Sequence, residues 1–172
     1  MDGAMLEERD VRIRCVEEGD LDFVYSCASE RVRGAYQGFR FETWTTLLRA
    51  YEEDGLWNAD GGLLLIEAHN DAVGLVHVDF VREGLVRVGM VLLPDSRGRG
   101  IGSLALRLLC RYLTDNYPIV RIEADTDTEN DAAHRMLEQV GFVFEGTLRR
   151  YRYHHGAYRD YDLYSYLPGE DV

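Results

Sequence analysis

Hydrophobic and polar residues alternate along the chain with two different periods, and these periods predict the secondary structure. Between residues 11 and 16 apolar side chains occupy every second position, which predicts a half-buried strand. Apolar residues recur at helical spacing over 21–28 and again over 44–51, which predicts two amphipathic helices. Residues 31–40 follow neither period and are predicted to be irregular, and both chain ends are expected to fray, over the first ten and the last five residues.

A meander of three strands and a helix is predicted for the middle of the chain. Residues 63–68 and 73–81 are apolar runs joined by a turn around Asn70-Asp71, and residues 85–93 continue the meander. A helix is predicted to begin at Ile101 and to run to about Leu113, because its apolar residues fall on one face.

The last third of the chain predicts a strand, a helix and a closing hairpin. These are a strand over 119–125, a helix that opens at Asn130 and stops at Gly141, and an antiparallel pair over 142–148 and 158–167 that turns near His155-Gly156. A strand–helix–strand crossover from 85–93 to 119–125 makes that central pair parallel. The predicted fold class is therefore α/β, with a mixed, mostly antiparallel sheet that contains one parallel pair and is flanked by about four helices.

Length and composition bound the class of protein. The 172 residues are expected to form a single domain, 1–172, with its core over about 11–167. No apolar stretch is long enough to span a bilayer and the start lacks the features of a signal peptide, so the expected location is the cytoplasm. The three cysteines are far apart and lack metal-type spacing, which favours reduced thiols in the core.

The formal net charge of −12 argues against a nucleic-acid partner, which would require a basic face. The charge is compatible with a cationic substrate. It is equally explained by a solvated acidic surface that keeps the protein in solution.

Candidate chemistry is concentrated in the segment Arg97-Gly98-Arg99-Gly100-Ile101-Gly102 between the central strand and the following helix. Glycines let backbone N–H groups approach an anion, and the first turn of a helix adds unpaired donors and the positive end of its dipole. The spacing is neither that of a dinucleotide fingerprint nor that of a nucleoside-triphosphate loop. A different diphosphate-bearing cofactor is therefore indicated.

The chain resembles the GNAT acyltransferase superfamily, within it the branch of ribosomal-protein N-terminal acetyltransferases and their small-molecule-acetylating relatives. The segments that carry the resemblance are Val88–Pro94 with the glycine loop, Asn130–Ala133, Leu137–Phe142, Glu145–Arg149 and Gly156–Asp160. The resemblance implies that acetyl-CoA, or another acyl-CoA, binds where the two parallel strands diverge.

The resemblance also implies the residues that hold this cofactor. The backbone of Val91 and Leu93 would pair with the pantetheine arm as an added strand. Asn130 would face the arm or the sulfur, although asparagine in that place is also explained as a helix N-cap. The full expected set is Val91, Leu92, Leu93, Arg97, Gly98, Arg99, Gly100, Ile101, Gly102, Ser103 and Asn130.

The implied reaction is direct attack of an amine on the thioester, with a backbone donor near Met90–Leu92 stabilising the oxyanion. Two positions depart from the family pattern. Arg87 stands where the branch commonly has glutamate, and Leu137 stands where many relatives have the tyrosine that protonates the thiolate. Neither proton-transfer role can be assigned to those positions.

Replacement groups are sought on strands that face the cleft. His77 and Asp79 share one face of their strand, as do Glu123 and Asp125 of another, and each could accept the proton through water. Tyr153 belongs to a group of tyrosines and histidines in the hairpin and could protonate the thiolate, although cross-strand packing is the commoner use of such residues. His154-His155 is interpreted as part of a turn, and no metal site is expected.

The acceptor side is predicted from Arg87 and from two aromatic residues, Tyr36 and Phe39, of the irregular segment. Arg87 would bind a carboxylate or phosphate of the acceptor, or pair with a surface acid. The expected acceptor is an amine of a small molecule or a protein N-terminus, with neither nucleic acid nor membrane as partner, and a homodimer is compatible with the sequence. The alternatives are a non-catalytic acyl-CoA-binding regulatory module and an acyltransferase that uses a different acyl-CoA.

Overall fold

The computed structural model describes residues 5–38 and 41–170, which form one mixed sheet covered by helices. The strands are β1 (Met5–Glu8), β2 (Val11–Cys15), β3 (Trp57–Asn58), β4 (Gly61–Ala68), β5 (Asp71–Arg82), β6 (Leu85–Leu92), β7 (Arg121–Asp127), β8 (Val143–His154) and β9 (Ala157–Tyr166). The α-helices are α1 (Leu21–Cys27), α2 (Glu30–Arg33), α3 (Trp44–Asp54), α4 (Ile101–Asn116) and α5 (Asp131–Val140). Short 3₁₀ turns occupy Glu18–Asp20 and Pro94–Ser96.

The sheet has the strand order β1-β2-β4-β5-β6-β7-β9-β8, with β3 paired to β4 beside this path. All described pairings are antiparallel except that of β6 with β7. The α4 crossover from β6 to β7 explains this exception, because a connection that returns to the same end of the sheet must produce a parallel pair. The predicted fold class is confirmed.

Two layers of helices cover the two faces of the sheet. On one face the side chains of Val86 and Val88 pack with Leu109 of α4 and Leu137 of α5. On the other face Leu75 and Val91 pack with residues of α1 and α3, such as Leu21 and Leu47. Because successive side chains of a strand point to opposite faces, β6 contributes to both layers, and polar residues on its second face border the site described below.

Most predicted elements are confirmed, and three differ. Residues 5–8 do not fray but form β1, paired with β2, since alternation over four residues is too short to be recognised. Glu30–Arg33 forms the single turn α2 within the segment predicted to be irregular. The first strand of the closing hairpin is longer than predicted and extends to His154, because bulges near Gly146 and Arg150 carry the pairing past a break in the alternation.

Two further expectations concern the cysteines and the apolar segments. Cys15, Cys27 and Cys110 are all free; Cys27 and Cys110 are buried as predicted, whereas Cys15 is exposed at the end of β2, so the prediction of a core position is wrong for it. Among the described residues the structure holds no helix with the length and apolar character needed to cross a membrane.

Candidate functional site

The central parallel strands separate soon after they begin. Their register pairs Leu85 with Arg121, Val86 with Ile122 and Arg87 with Glu123, and ends there. Beyond these pairs a cavity of about 780 Å³ runs between the strands. It is bordered by Met90 and Val91 of β6 and Thr126 of β7, and it reaches Asn130 and Met136 on the helix-α5 side. The gap therefore connects the two faces of the sheet.

Backbone groups of β6 are available along this gap. The Leu93 N–H donates to Val73 O at 2.8 Å, which places it on the β5 side. Adjacent residues of a strand direct their backbone groups to opposite edges, so Met90 and Leu92 face the gap. The expectation that Val91 and Leu93 pair with a cofactor arm is therefore wrong by one residue, because the sequence alone does not show which edge a residue faces.

The glycine loop has the geometry of an anion site. Gly98 and Gly100 have φ values of 68° and 78°, the left-handed region that favours glycine. Gly100 is the N-cap of α4 and no side chain caps this helix end, so the first N–H groups of α4 remain for a ligand. A Cβ built on Gly98 or Gly100 would meet nothing within 4 Å, so the loop surface is open.

Both arginines of the loop are exposed. The Arg97 guanidinium nevertheless turns back onto the protein, where its Nε donates to Leu92 O at 3.1 Å and its Nη2 donates to Val32 O. The Arg97 side chain thus connects the end of β6 to α2.

Two other loop residues serve the packing of α4 against α5. A Cβ on Gly102 would lie 2.8 Å from Met136 Sδ, so glycine leaves room for the Met136 side chain between the two helices. Ser103 Oγ donates to Gln139 Oε1 at 3.2 Å. Ile101 is buried in the core.

Asn130 acts as the N-cap of α5. Its side-chain oxygen accepts from Ala133 N at 3.3 Å, and its Nδ2 donates to Thr126 Oγ1 at 3.1 Å. Leu137 lies further along α5, is buried and also borders the cavity. Because leucine has no hydroxyl group, this side of the gap offers none at that position. The N-cap reading of Asn130 is confirmed, and a role toward a ligand stays a prediction.

The opposite face of the sheet carries the predicted bases His77 and Asp79. His77 Nε2 lies 3.3 Å from Asp79 Oδ1, both side chains are about half exposed, and both border the cavity. His77 pairs across the strands with Gly89, over which a Cβ would meet nothing within 4 Å. The imidazole therefore stands beside open space at the edge of the gap.

Arg87 and Glu123 form an ion pair on this face. Arg87 Nη2 donates to Glu123 Oε2 at 3.0 Å, and Arg121 Nε donates to Glu123 Oε1 at 2.9 Å. Burial raises the pKa of Glu123, but the two arginine hydrogen bonds outweigh it and hold the pKa below its ordinary value. Arg87 is therefore already neutralised by a carboxylate, and that carboxylate is a weak base.

Asp125, the neighbouring acid on β7, is likewise engaged. Arg152 Nη2 lies 2.8 Å from Asp125 Oδ1 and 3.0 Å from Oδ2. Next to this pair, Tyr161 borders the cavity and donates its hydroxyl to Tyr36 O at 2.9 Å. Burial raises the pKa of Tyr161 to about 12, so its phenol stays protonated.

The remaining predicted residues differ in whether they border the cavity. Tyr36 borders the cavity, as expected for an acceptor wall. Tyr153 is 62% exposed, packs on Tyr158 and borders a recess at the hairpin that adjoins the cavity and shares Arg33 and Arg152 with it. Phe39 lies outside the described residues. The described residues hold no group of three or more metal-ligating side chains.

Gln37 is a site residue that the sequence analysis missed. Its Nε2 donates to Met90 O at 3.0 Å, on the gap side of β6, and its Oε1 lies 3.4 Å from Arg33 Nη1. A polar residue in an irregular aromatic segment gives no periodicity from which this contact could be predicted.

Comparisons with known proteins agree with this geometry. A family model described as an acetyltransferase (GNAT) domain matches residues 10–143. The uncharacterized N-acetyltransferase YoaA of Bacillus subtilis (strain 168) is 23% identical over 170 residues, which cover 94% of this chain and 95% of the relative. Spermidine N(1)-acetyltransferase of Vibrio cholerae is 22% identical over 152 residues, which cover 86% of this chain and 87% of the relative.

Solved structures show the same fold. The spermidine N-acetyltransferase from Vibrio cholerae in complex with CoA and spermine superposes with a TM-score of 0.83 at 21% identity, covering 92% of this chain and 95% of that one. RimL, a ribosomal L7/L12 alpha-N-protein acetyltransferase in complex with coenzyme A, superposes with a TM-score of 0.82 at 15% identity, covering 98% and 100%.

Proposed function

Because the chain belongs to the GNAT acetyltransferase family, we propose that it transfers the acetyl group of acetyl-CoA to the primary amine of a small molecule. The observation that carries the proposal is the gap between β6 and β7, which opens into a polar recess and lies beside the strand whose end leads into the open glycine loop. We propose residues 1–172 as one acyltransferase domain, since a single sheet runs from β1 near the start to β9 near the end.

The cofactor fits the residues present. The pantetheine arm would accept from the gap-facing Leu92 N–H, since the Met90 and Leu92 carbonyls already accept from Gln37 and Arg97. The diphosphate would take the N–H groups from Gly98 to Ser103 with Arg99 beside them. The open glycines of the loop support this placement, since no side chain fills the space above them. When bound, acetyl-CoA supplies the thioester carbonyl that is attacked and the thiolate that leaves.

The residues of this chain would orient the reactants. We assign the Met90 N–H, at the gap edge, as the donor to the carbonyl oxygen, because a fixed backbone donor costs no reorganisation. Holding an amine against a thioester supplies on the order of 7–11 kcal/mol of the barrier in well-aligned cases. Strong acid–base catalysis is therefore not required of the missing glutamate and tyrosine.

His77 is the best-placed base of the predicted group. Glu123 and Asp125 are held in ion pairs with arginines, whereas His77 has only Asp79 beside it and stands next to the open space over Gly89. Asp79 would orient the imidazole so that the free ring nitrogen, directly or through one water, accepts the proton of the amine. Tyr153 does not border the cavity that His77 borders but lies on the adjoining recess at the hairpin.

A small amine is favoured as acceptor over a protein N-terminus. The recess on the His77 face is covered by α1 and α3, whose residues Val24, Ala28, Leu47 and Ala50 border it. Such a cover leaves room for a compact molecule more readily than for a chain end. Since Arg87 is paired with Glu123, a cationic amine needs no separate anionic group to satisfy that arginine.

The cysteines bear on the cellular location. We propose a cytoplasmic enzyme, and the three free cysteines, two of them buried, agree with a reducing compartment.

The test combines calorimetry with thiol release. Purified protein is titrated with acetyl-CoA and with propionyl-CoA, and CoA release is followed with spermidine, glycine amide and an alanyl tripeptide. We expect saturable acetyl-CoA binding and turnover of spermidine or glycine amide above the tripeptide. Binding without turnover of any amine would favour the regulatory module, preference for propionyl-CoA a different acyl donor, and absence of binding would overturn the assignment.

A further inference from the structure

The segment Gly34–Gly38, here called the bridging loop, connects α2 to the recess and has no secondary structure of its own. Two of its carbonyls and that of the preceding Val32 contact side chains from other elements. Val32 O accepts from Arg97, Tyr36 O accepts from Tyr161 at 2.9 Å, and Gly34 O lies 3.2 Å from His155 Nε2. These three contacts attach the loop and α2 to the glycine loop and to the closing hairpin.

Arg97 is built into this arrangement by its neighbours. The Arg97 Nη1 atom lies 3.3 Å from the position that a Cβ of Gly34 would occupy, so glycine there leaves room for the guanidinium. Gly34 also has φ 69° and ψ −158°, a conformation that favours glycine. One planar guanidinium thereby donates to the end of β6 and to α2 at once.

Gln37 makes the corresponding contact from the loop itself. Its amide donates to Met90 O, two residues before the Leu92 carbonyl that Arg97 binds. The gap-facing carbonyls of Met90 and Leu92 are therefore occupied by side chains that hold the bridging loop and α2.

We propose that Arg97 and Gln37 are positioning residues that attach the acceptor wall to the cofactor-bearing edge of β6, and that the Arg97 side chain is not a ligand of the diphosphate. This inference rests on the proposed function, which identifies the acceptor side and the cofactor side of the gap. It divides the work of the glycine loop: backbone N–H groups and Arg99 face the anion, while Arg97 fixes the distance between the acyl donor and the wall that orients the amine. Errors of about 1 Å in such a distance cost about two orders of magnitude in rate.

The variants Arg97→Ala and Gln37→Met are compared with Arg99→Ala, a matched control in the same loop. Gln37→Met keeps the length of the side chain and removes its donor. Three quantities are measured: the affinity for acetyl-CoA by calorimetry, the rate of chymotryptic cleavage after Tyr36 by mass spectrometry, and the KM and kcat for the best amine of the panel above.

The expected results separate the two arginines. Arg97→Ala and Gln37→Met should raise cleavage after Tyr36 by about fivefold to tenfold, as for loss of one hydrogen bond to a protected carbonyl, and change acetyl-CoA affinity less than about threefold. They should also raise the KM for the amine, with Arg97→Lys restoring part of the loss. Arg99→Ala should lower acetyl-CoA affinity and leave cleavage after Tyr36 unchanged.

The contrary results are equally definite. If Arg97→Ala weakens acetyl-CoA binding as much as Arg99→Ala and leaves cleavage after Tyr36 unchanged, Arg97 is a phosphate ligand and the inference is wrong. Wild-type protein that binds no acetyl-CoA would overturn the proposed function instead, while the cleavage rates of Arg97→Ala and Gln37→Met would still decide whether these side chains hold the loop.

Discussion

Arg87 and Leu137 stand where related enzymes are expected to have the two residues that transfer protons. The structure shows what surrounds each of them. Arg87 is bound to Glu123, so the acceptor face keeps a carboxylate at this place, but one whose pKa is lowered. Leu137 is part of the core. The imidazole of His77, which borders the same cavity, is the base that we propose.

Replacing His77 by glutamine should lower kcat/KM at neutral pH by about 10²-fold, the usual contribution of a positioned base. Without the imidazole the amine must be deprotonated before it binds, so the remaining activity should rise about tenfold per pH unit toward the pKa of the amine. A pH–rate profile of wild type and variant measures this.

Asp79→Asn is the accompanying variant, and a smaller loss is expected because it disturbs only the orientation of His77. Parallel pH profiles for wild type and His77→Gln would show that His77 takes no proton.

Single residues also show the limit of what the sequence can predict. The open glycines and the N-cap role of Asn130 follow from residue type and local spacing, and both were predicted. The edge that Leu93 faces depends on register with β5, and the target of Gln37 lies 53 residues away. Such contacts are fixed by tertiary packing, on which local patterns carry no information.

Among the secondary-structure elements, α4 and α5 determine the shape of the cofactor side. Their close contact depends on Gly102, whose missing side chain leaves room for Met136. The periodicity of each helix predicted its buried face, whereas the short elements β1 and α2 were missed because one turn or four strand residues contain too few positions to define a period.

Gly102→Val should destabilise the protein by about 1–3 kcal/mol, because the added atoms overpack the junction and α5 must move. Since α5 borders the gap, acetyl-CoA affinity should fall as well. Urea denaturation measures the first effect and calorimetry the second.

Gly19→Ala is the reference substitution, because a Cβ there meets nothing within 4 Å, and it should change stability by less than about 0.5 kcal/mol. Equal stabilities for Gly102→Val and Gly19→Ala would mean that the junction has space the geometry does not show.

At the scale of the whole molecule, the net charge of −12 affects charged molecules that approach the site. A negative surface attracts cationic amines over a distance that salt shortens, so charge affects the encounter rather than the fold.

Raising the salt concentration should therefore lower kcat/KM for spermidine more steeply than for the singly charged glycine amide, by about threefold to tenfold over the usual range. Steady-state kinetics from low to physiological ionic strength, at a fixed saturating concentration of acetyl-CoA, gives both slopes. Equal slopes for the two amines would mean that the acidic surface serves solubility alone.

The short parallel register between β6 and β7 has one more consequence. Strands β1 to β6 form one block of the sheet, and strands β7 to β9, which follow later in the chain, form the other. The two blocks share three residue pairs of backbone register. Apart from the two-residue pairing of β3 with β4, this seam has the fewest backbone pairs among the described neighbouring strands. A molecule wedged into the seam would thus be a mechanical tie between the blocks.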